Sequence, residues 1–296
     1  MDSFVFLVNP ASGGGAAPEA VVPVARRLRD HGASVEVTYS PGPEACRALV
    51  AEAVGRGDVV VSVGGDGMLS SIAGAVSRAG GTLGIVPAGR GNDFARMLGI
   101  PKDPLAQADV LLAGNRRTVD MISYGDRLVA GSVYAGVDAR AAEIVDSARW
   151  VPKIAQYPLA ALRALATYTP ASYRVTIDGV AHEFNGATVV VANSGYYGKG
   201  MKIAPAAVLD DGLLDVIVIE AASRARADAL TAEGLRRRAR GSRPVHVFTG
   251  GSVTIAATSR RPVPVGGDGE ALGVLPTDAS APATVSVLPG ALTVIA

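Results

Sequence analysis

One five-residue string, VGGDG, stands at 63–67 and again at 265–269, and its two copies carry side chains for two different chemistries. The first lies in "VSVGGDGMLS" (61–70), where an apolar strand pattern runs into Gly64, Gly65, Asp66 and Gly67. Met68, Leu69 and Ser70 then open a helical pattern. Glycines let backbone N–H groups close on an anion, and a helix N-terminus carries partial positive charge, so this turn suits a phosphate. The Asp66 carboxylate would repel a phosphate directly. It therefore either holds Mg²⁺ or its waters, or orients the loop. The second copy, "VPVGGDGEAL" (263–272), lies between strand patterns and offers Asp268 and Glu270 across one glycine. In an extended strand residues i and i+2 point the same way, so both carboxylates are expected to face one cleft. Phosphoryl transfer asks for a base that positions a hydroxyl and takes its proton. Asp268 fits that base, and Glu270 fits its partner or an outer Mg²⁺ ligand.

Two further glycine turns join the first string. "VNPASGGG" (8–15) places Ser12 before three glycines, and "PAGRGNDFAR" (87–96) carries Arg90, Gly91, Asn92 and Asp93. Three such turns at the carboxyl edge of one parallel sheet outline a nucleotide cleft. The sequence holds no GxxxxGK[ST], no GxGxxG after the first strand pattern, and no protein-kinase catalytic motifs.

The elements that must hold these turns are legible in outline. Strand and helix patterns alternate to residue 120: 4–9, 17–32, 34–39, 42–57, 58–63, 68–80, 82–87 and 103–114. Apolar strands alternating with helices predict a doubly wound parallel α/β domain over 1–120. Beyond it, short strands separated by Gly and Pro predict a mostly antiparallel β-sandwich over 121–296. Asp178-Gly179 marks a hairpin there. Helical patterns interrupt it at 138–168 and 223–240.

Composition narrows the partners. The 296 residues carry a net charge of +1, which leaves no nucleic-acid footprint. The single cysteine, Cys46, excludes an internal disulfide framework and fits a reducing cytosol. It reads as a packed hydrophobe, and the three histidines fall outside every motif. "MDSFVFLVNP" reads as a strand and not a signal peptide, and no transmembrane segment is expected.

In order, "VNPASGGG", "VGGDGMLS", "PAGRGNDFAR", "KIAPAAVLDDGLLDV" and "GGDGEALG" resemble the diacylglycerol kinase catalytic-domain family, bacterial lipid kinases related also to sphingosine kinases. The resemblance spans nearly the whole chain. It implies ATP, Mg²⁺, a lipid hydroxyl acceptor reached from the cytosolic membrane face, and a cleft between two domains. It implies that Asn9, Ser12, Thr38, the run Gly64 to Ser70, and Arg90 to Asp93 bind ATP, and that Asp268 accepts the proton. It also implies a structural Mg²⁺ on the Asp211 carboxylate and the carbonyls of Val208 and Leu213; the plain alternative is an Asp-Gly turn. Met68 stands where the family usually has Thr, and Arg90 replaces the Thr of GTxND. Arg90 is either a phosphate ligand or a solvated surface residue. "NSGYYGKGMKIAP" (193–205) resembles a family segment with Lys199 where glycine is common, and reads as lining the acceptor side or as a plain loop.

Two rivals stay in view. A NAD kinase shares GGDG, but the late DGE pair, "LDDGLLD" and the missing NE pair after GGDG argue against it. A nucleotide or lipid sensor without turnover is the other. The segments 140–168, with Trp150, and 224–243, which is basic, read first as packed and solvated helices, and second as membrane contacts. The oligomeric state stays open, a homodimer included.

Overall fold

A computed structural model describes residues 3–40, 42–137, 139, 171–220, 245–259, 261–277 and 280–296. The two expected helical stretches at 138–168 and 223–240 lie, save Ala139, outside the described residues.

The first half is the expected parallel sheet. β1 (Ser3–Val8), β2 (Ser34–Tyr39), β3 (Val59–Gly64) and β4 (Thr82–Pro87) pair in the order β2-β1-β3-β4. Helices α1 (Ala17–Asp30), α2 (Pro43–Gly55), α3 (Asp66–Ala79), α4 (Asp93–Met97) and α5 (Pro104–Ala113) connect and cover it. Side chains alternate across each strand, so one sheet feeds two cores. Val5, Leu7 and Val60 pack with α2 and α3, while Phe4, Phe6, Val8 and Val61 pack with α1 and α5. That is why these strands read as unbroken apolar runs: both faces are buried.

The second half is an antiparallel sandwich. It contains β5 (Arg116–Tyr124), β6 (Arg127–Val129), β7 (Ser132–Gly136), β8 (Ala171–Ile177), β9 (Val180–Ala192), β10 (Tyr196–Tyr197), β11 (Met201–Lys202) and β12 (Leu214–Glu220). β13 (Val245–Gly250), β14 (Ser252–Thr258), β15 (Pro264–Gly267), β16 (Glu270–Val274) and β17 (Ala283–Ile295) follow. The β8–β9 hairpin turns at Asp178 (φ 45°) and Gly179 (φ 86°), as the Asp-Gly pair predicts. Tyr173, Val175, Val189, Val191, Val216 and Val253 fill its core.

The last strand joins the halves. β17 pairs antiparallel with β5, and its end also pairs parallel with β4, Thr293 to Thr82 and Val294 to Leu83. The ladder of the first sheet thus runs on into the sandwich and holds the hairpin turns of one against the glycine turns of the other.

Candidate active site

The three glycine turns touch. The Asn9 N–H donates to the Val63 carbonyl (3.0 Å), and the Asn9 side chain accepts from the Ala11 N–H (3.0 Å). The Ser12 hydroxyl faces the Ala88 carbonyl at 3.5 Å. A Cβ on Gly13 would fall 2.4 Å from that carbonyl oxygen, and one on Gly89 would fall 2.4 Å from the Gly65 Cα. The turns are therefore packed backbone on backbone, which only glycine permits. α3 begins directly after Gly65, and no side chain caps its first-turn N–H groups among the described residues. Met68 folds its side chain over Gly64, and Leu69 is core; both can offer only backbone to a nucleotide. The Ser70 hydroxyl accepts from the Ala130 N–H (3.1 Å).

Asp66 orients the neighbouring turn. Its two oxygens accept the N–H groups of Asn92 (2.8 Å) and Asp93 (2.6 Å). Asn92 sits at φ 54° and closes the turn on Gly89 through two side-chain bonds, of 2.9 and 3.0 Å. Asp93 accepts from the Lys199 N–H (2.8 Å) with one oxygen, and its other oxygen is buried without a partner among the described residues. A site with an orphaned buried carboxylate oxygen fits a divalent cation. Burial, then the Asp93 and Asp268 carboxylates, push the Asp66 pKa from 3.8 up to about 6. Because the folded value lies above the unfolded one, Asp66's stability contribution is complete below 3.8 and is lost as pH rises through about 6. Its side-chain carboxyl ¹³C resonance is expected to titrate with a midpoint near 6. A midpoint in the ordinary carboxylate range would show that the three acids do not share one enclosed space.

Arg90 is exposed and makes no hydrogen bond or ion pair among the described residues. Gly91 lies against Asp66, where a Cβ would meet the carboxylate at 2.6 Å. Thr38 lies near the end of β2, and its hydroxyl donates to Glu36 at 3.4 Å.

Asp268 and Glu270 do not share an extended strand, contrary to the sequence expectation. Asp268 (φ 47°) and Gly269 (φ 88°) are the turn between β15 and β16. The i, i+2 rule fails because both turn residues take left-handed angles. The turn nevertheless delivers both carboxylates to the first string. Asp268 accepts N–H bonds from Ala130 (3.1 Å), Gly131 (2.9 Å) and Ser132 (2.8 Å). Ser70 bonds it as well, and burial outweighs these bonds, raising its pKa. Glu270 lies over Gly67, its Oε1 3.0 Å from where a Cβ would stand. Burial raises its pKa too, against the pull of Arg127.

Asp211 accepts from the Leu213 N–H (2.9 Å), and neither the Val208 nor the Leu213 carbonyl accepts a hydrogen bond among the described residues. This oxygen-only donor set fits Mg²⁺. Two residues missed at sequence level complete the frame. Buried Asp120 accepts from Gly212 (2.8 Å) and Gly290 (2.7 Å), fastening the 209–213 turn. Buried Asn193 donates to the carbonyls of Asp120 (2.8 Å) and Ala130 (3.0 Å), fixing the backbone that cradles Asp268. A single acid within the otherwise apolar "VDMI" is the available signal for Asp120.

Glycine turns on a parallel sheet thus meet a carboxylate hairpin from an antiparallel sandwich. Residues 3–124 match the diacylglycerol kinase catalytic domain, and residues 131–296 match the YegS C-terminal NAD kinase beta sandwich-like domain. The chain belongs to the diacylglycerol kinase family of lipid kinases. It is 34% identical over 228 residues to a diacylglycerol kinase of Mycobacterium tuberculosis, covering 74% of each chain. It is 32% identical over 222 residues, 72% of this chain and 74% of the other, to a Pseudomonas putida protein named "Probable lipid kinase YegS-like". A diacylglycerol kinase structure from Bacillus anthracis has the same fold, with a TM-score of 0.71 at 18% identity over 99% of this chain and 96% of that one.

Proposed function

We propose that the protein transfers the γ-phosphoryl group of ATP, with Mg²⁺, to a hydroxyl of a diacylglycerol-like lipid. The observation that carries this reading is the meeting of the two strings: Glu270 covers Gly67, and the Ala130 N–H bonds both Ser70 and Asp268. In this reading residues 1–120 hold the donor and residues 121–296 the acceptor. Asn9, Ser12, Thr38, the first-turn backbone of α3 and the 90–93 turn hold the nucleotide. Asp66 and Asp93 hold the active-site cation, which neutralises phosphate charge. Asp268 takes the proton as the lipid oxygen bonds to phosphorus and the bond to the ADP oxygen breaks. Oδ1 accepts one backbone bond and keeps a second lone pair for that proton. Glu270 supports it.

The lipid is met at the cytosolic face of a membrane, and no described helix is long and apolar enough to cross one. The test presents purified protein with labelled ATP and a panel of diacylglycerols, sphingoid bases and NAD. A phosphorylated glycerolipid is expected. Phosphorylated NAD would overturn the acceptor assignment, and tight ATP binding with no labelled product would favour a sensor.

A second, structural Mg²⁺ is proposed on Asp211, Val208 and Leu213. Asp211→Ala should lower the melting temperature in Mg²⁺ and change it little in chelator. A ligand at 100 times its Kd stabilises the native state by about 2.7 kcal/mol. Equal loss in both buffers would leave only the turn.

A further inference from the structure

The first glycine of the second string makes room for a ring. β15 pairs with β7, and Gly266 stands opposite Tyr134. A Cβ on Gly266 would fall 2.6 Å from the Tyr134 ring and 3.0 Å from its hydroxyl oxygen. The ring therefore lies over this glycine, and a larger residue there would have to move it. Tyr134 is buried, and its ring meets that of Tyr197 edge to face, with centres 5.2 Å apart. Packed in this way, the phenol oxygen reaches the turn between β15 and β16. It accepts the Gly269 N–H there at 3.2 Å.

That bond acts on Asp268. Its φ of 47° is a left-handed angle that a non-glycine residue keeps only where its surroundings fix it. Two peptide groups flank Asp268, and β7 holds each of them. The Asp268 N–H donates to the Ser132 carbonyl at 3.2 Å, which fixes the peptide before it. The Gly269 N–H on Tyr134 fixes the peptide after it. Peptide groups are planar, so holding both sets φ and ψ of Asp268 and the direction of its Cα–Cβ bond. The carboxylate on that bond accepts the N–H groups of Ala130, Gly131 and Ser132, at and just before the start of the same strand.

We infer that Tyr134 is a positioning residue for the catalytic base. Its phenol oxygen holds the peptide behind Asp268, so that the carboxylate meets the acceptor hydroxyl in one orientation. The inference rests on the kinase reading, in which Asp268 takes the proton.

The test compares wild type, Y134F, D268N and the double variant. Y134F removes one oxygen and keeps the ring, so the packing on Gly266 and Tyr197 stays. Amide hydrogen exchange at Gly269, read by NMR, should speed up by ~10-fold or more in Y134F, because the bond that protects it is gone. Gly269 is exposed, so water replaces the lost acceptor and the melting temperature should move little. The kcat for lipid phosphorylation should fall by ~10-fold, the scale of a small misplacement of a reacting group, with the KM for ATP within about twofold. A role in the fold alone would lower the melting temperature and would not produce that split. In the D268N background the same substitution should cost no further turnover, since no base is left to position. Unchanged exchange at Gly269, unchanged kcat in Y134F, or losses that multiply in the double variant would each overturn the assignment. Wild-type protein that phosphorylates no lipid would instead sink the kinase reading, and exchange at Gly269 alone would then judge the tether.

Discussion

Asp268→Asn is expected to lower lipid phosphorylation by ~10²-fold or more, the usual range for a removed general base. ATP affinity should stay close to wild type, because the donor turns lie on other residues. The substitution also has a structural cost. Asp268 accepts three backbone N–H groups, and an asparagine must point its NH₂ toward some of these donors. That mismatch costs about 1–3 kcal/mol, so turnover must be measured well below the melting temperature. A second readout separates the base from the scaffold. The Asp268 charge helps to raise the Asp66 pKa to about 6. The neutral amide in Asp268→Asn should therefore lower the Asp66 midpoint, while the acid limb of the pH–rate profile moves down with it. Near-normal turnover in Asp268→Asn would refute the base assignment. An Asp66 midpoint that stays put would refute the electrostatic link between the strings. Asp66→Asn should behave differently and weaken nucleotide binding as well, since its NH₂ must face one of the two N–H donors, Asn92 or Asp93, that the carboxylate accepts.

The fold and the donor side are legible because local chemistry dictates them. Apolar runs of six residues bounded by glycine read as buried parallel strands, and β3 and β4 lie within a residue of where the pattern puts them. Gly65 and Gly67 can be placed from their neighbours alone, at the junction where a strand pattern gives way to a helical one. The acid hairpin is half legible. The sequence singles out Asp268 and Glu270 but misreads their geometry, because the same Asp-Gly pair that reads as a turn at 178–179 reads as extended at 268–269. Asp120 and Asn193 escape notice because their partners lie far along the chain: Asp120 accepts from a residue 170 positions away. Long-range polar ties of this kind leave no periodicity in the sequence.

Gly65→Val is expected to abolish ATP binding, with at least a ~10²-fold loss, equivalent to about 2.7 kcal/mol. The backbone at Gly65 is extended (φ −97°, ψ −176°), so any residue could adopt it and strain is not the reason. Space is the reason. A Cβ there would stand 3.3 Å from the Gly89 Cα and 3.5 Å from the Ser12 hydroxyl. Alanine is tight but tolerable. Valine adds two methyl groups that must either part the three turns or fill the space over the first-turn N–H groups, where phosphate is proposed to sit. Gly89→Ala provides the sharper comparison, because its single methyl would fall 2.4 Å from the Gly65 Cα, against backbone that cannot rotate away. The expected order of ATP affinity is therefore wild type, Gly65→Ala, then Gly65→Val and Gly89→Ala together at the bottom. Calorimetry on all four ranks them, and circular dichroism checks that the sandwich strands persist. ATP affinity within about twofold of wild type in Gly65→Val, a few tenths of a kcal/mol, would show that no phosphate lies over this loop. A harmless Gly89→Ala would show that the turns are not packed backbone on backbone.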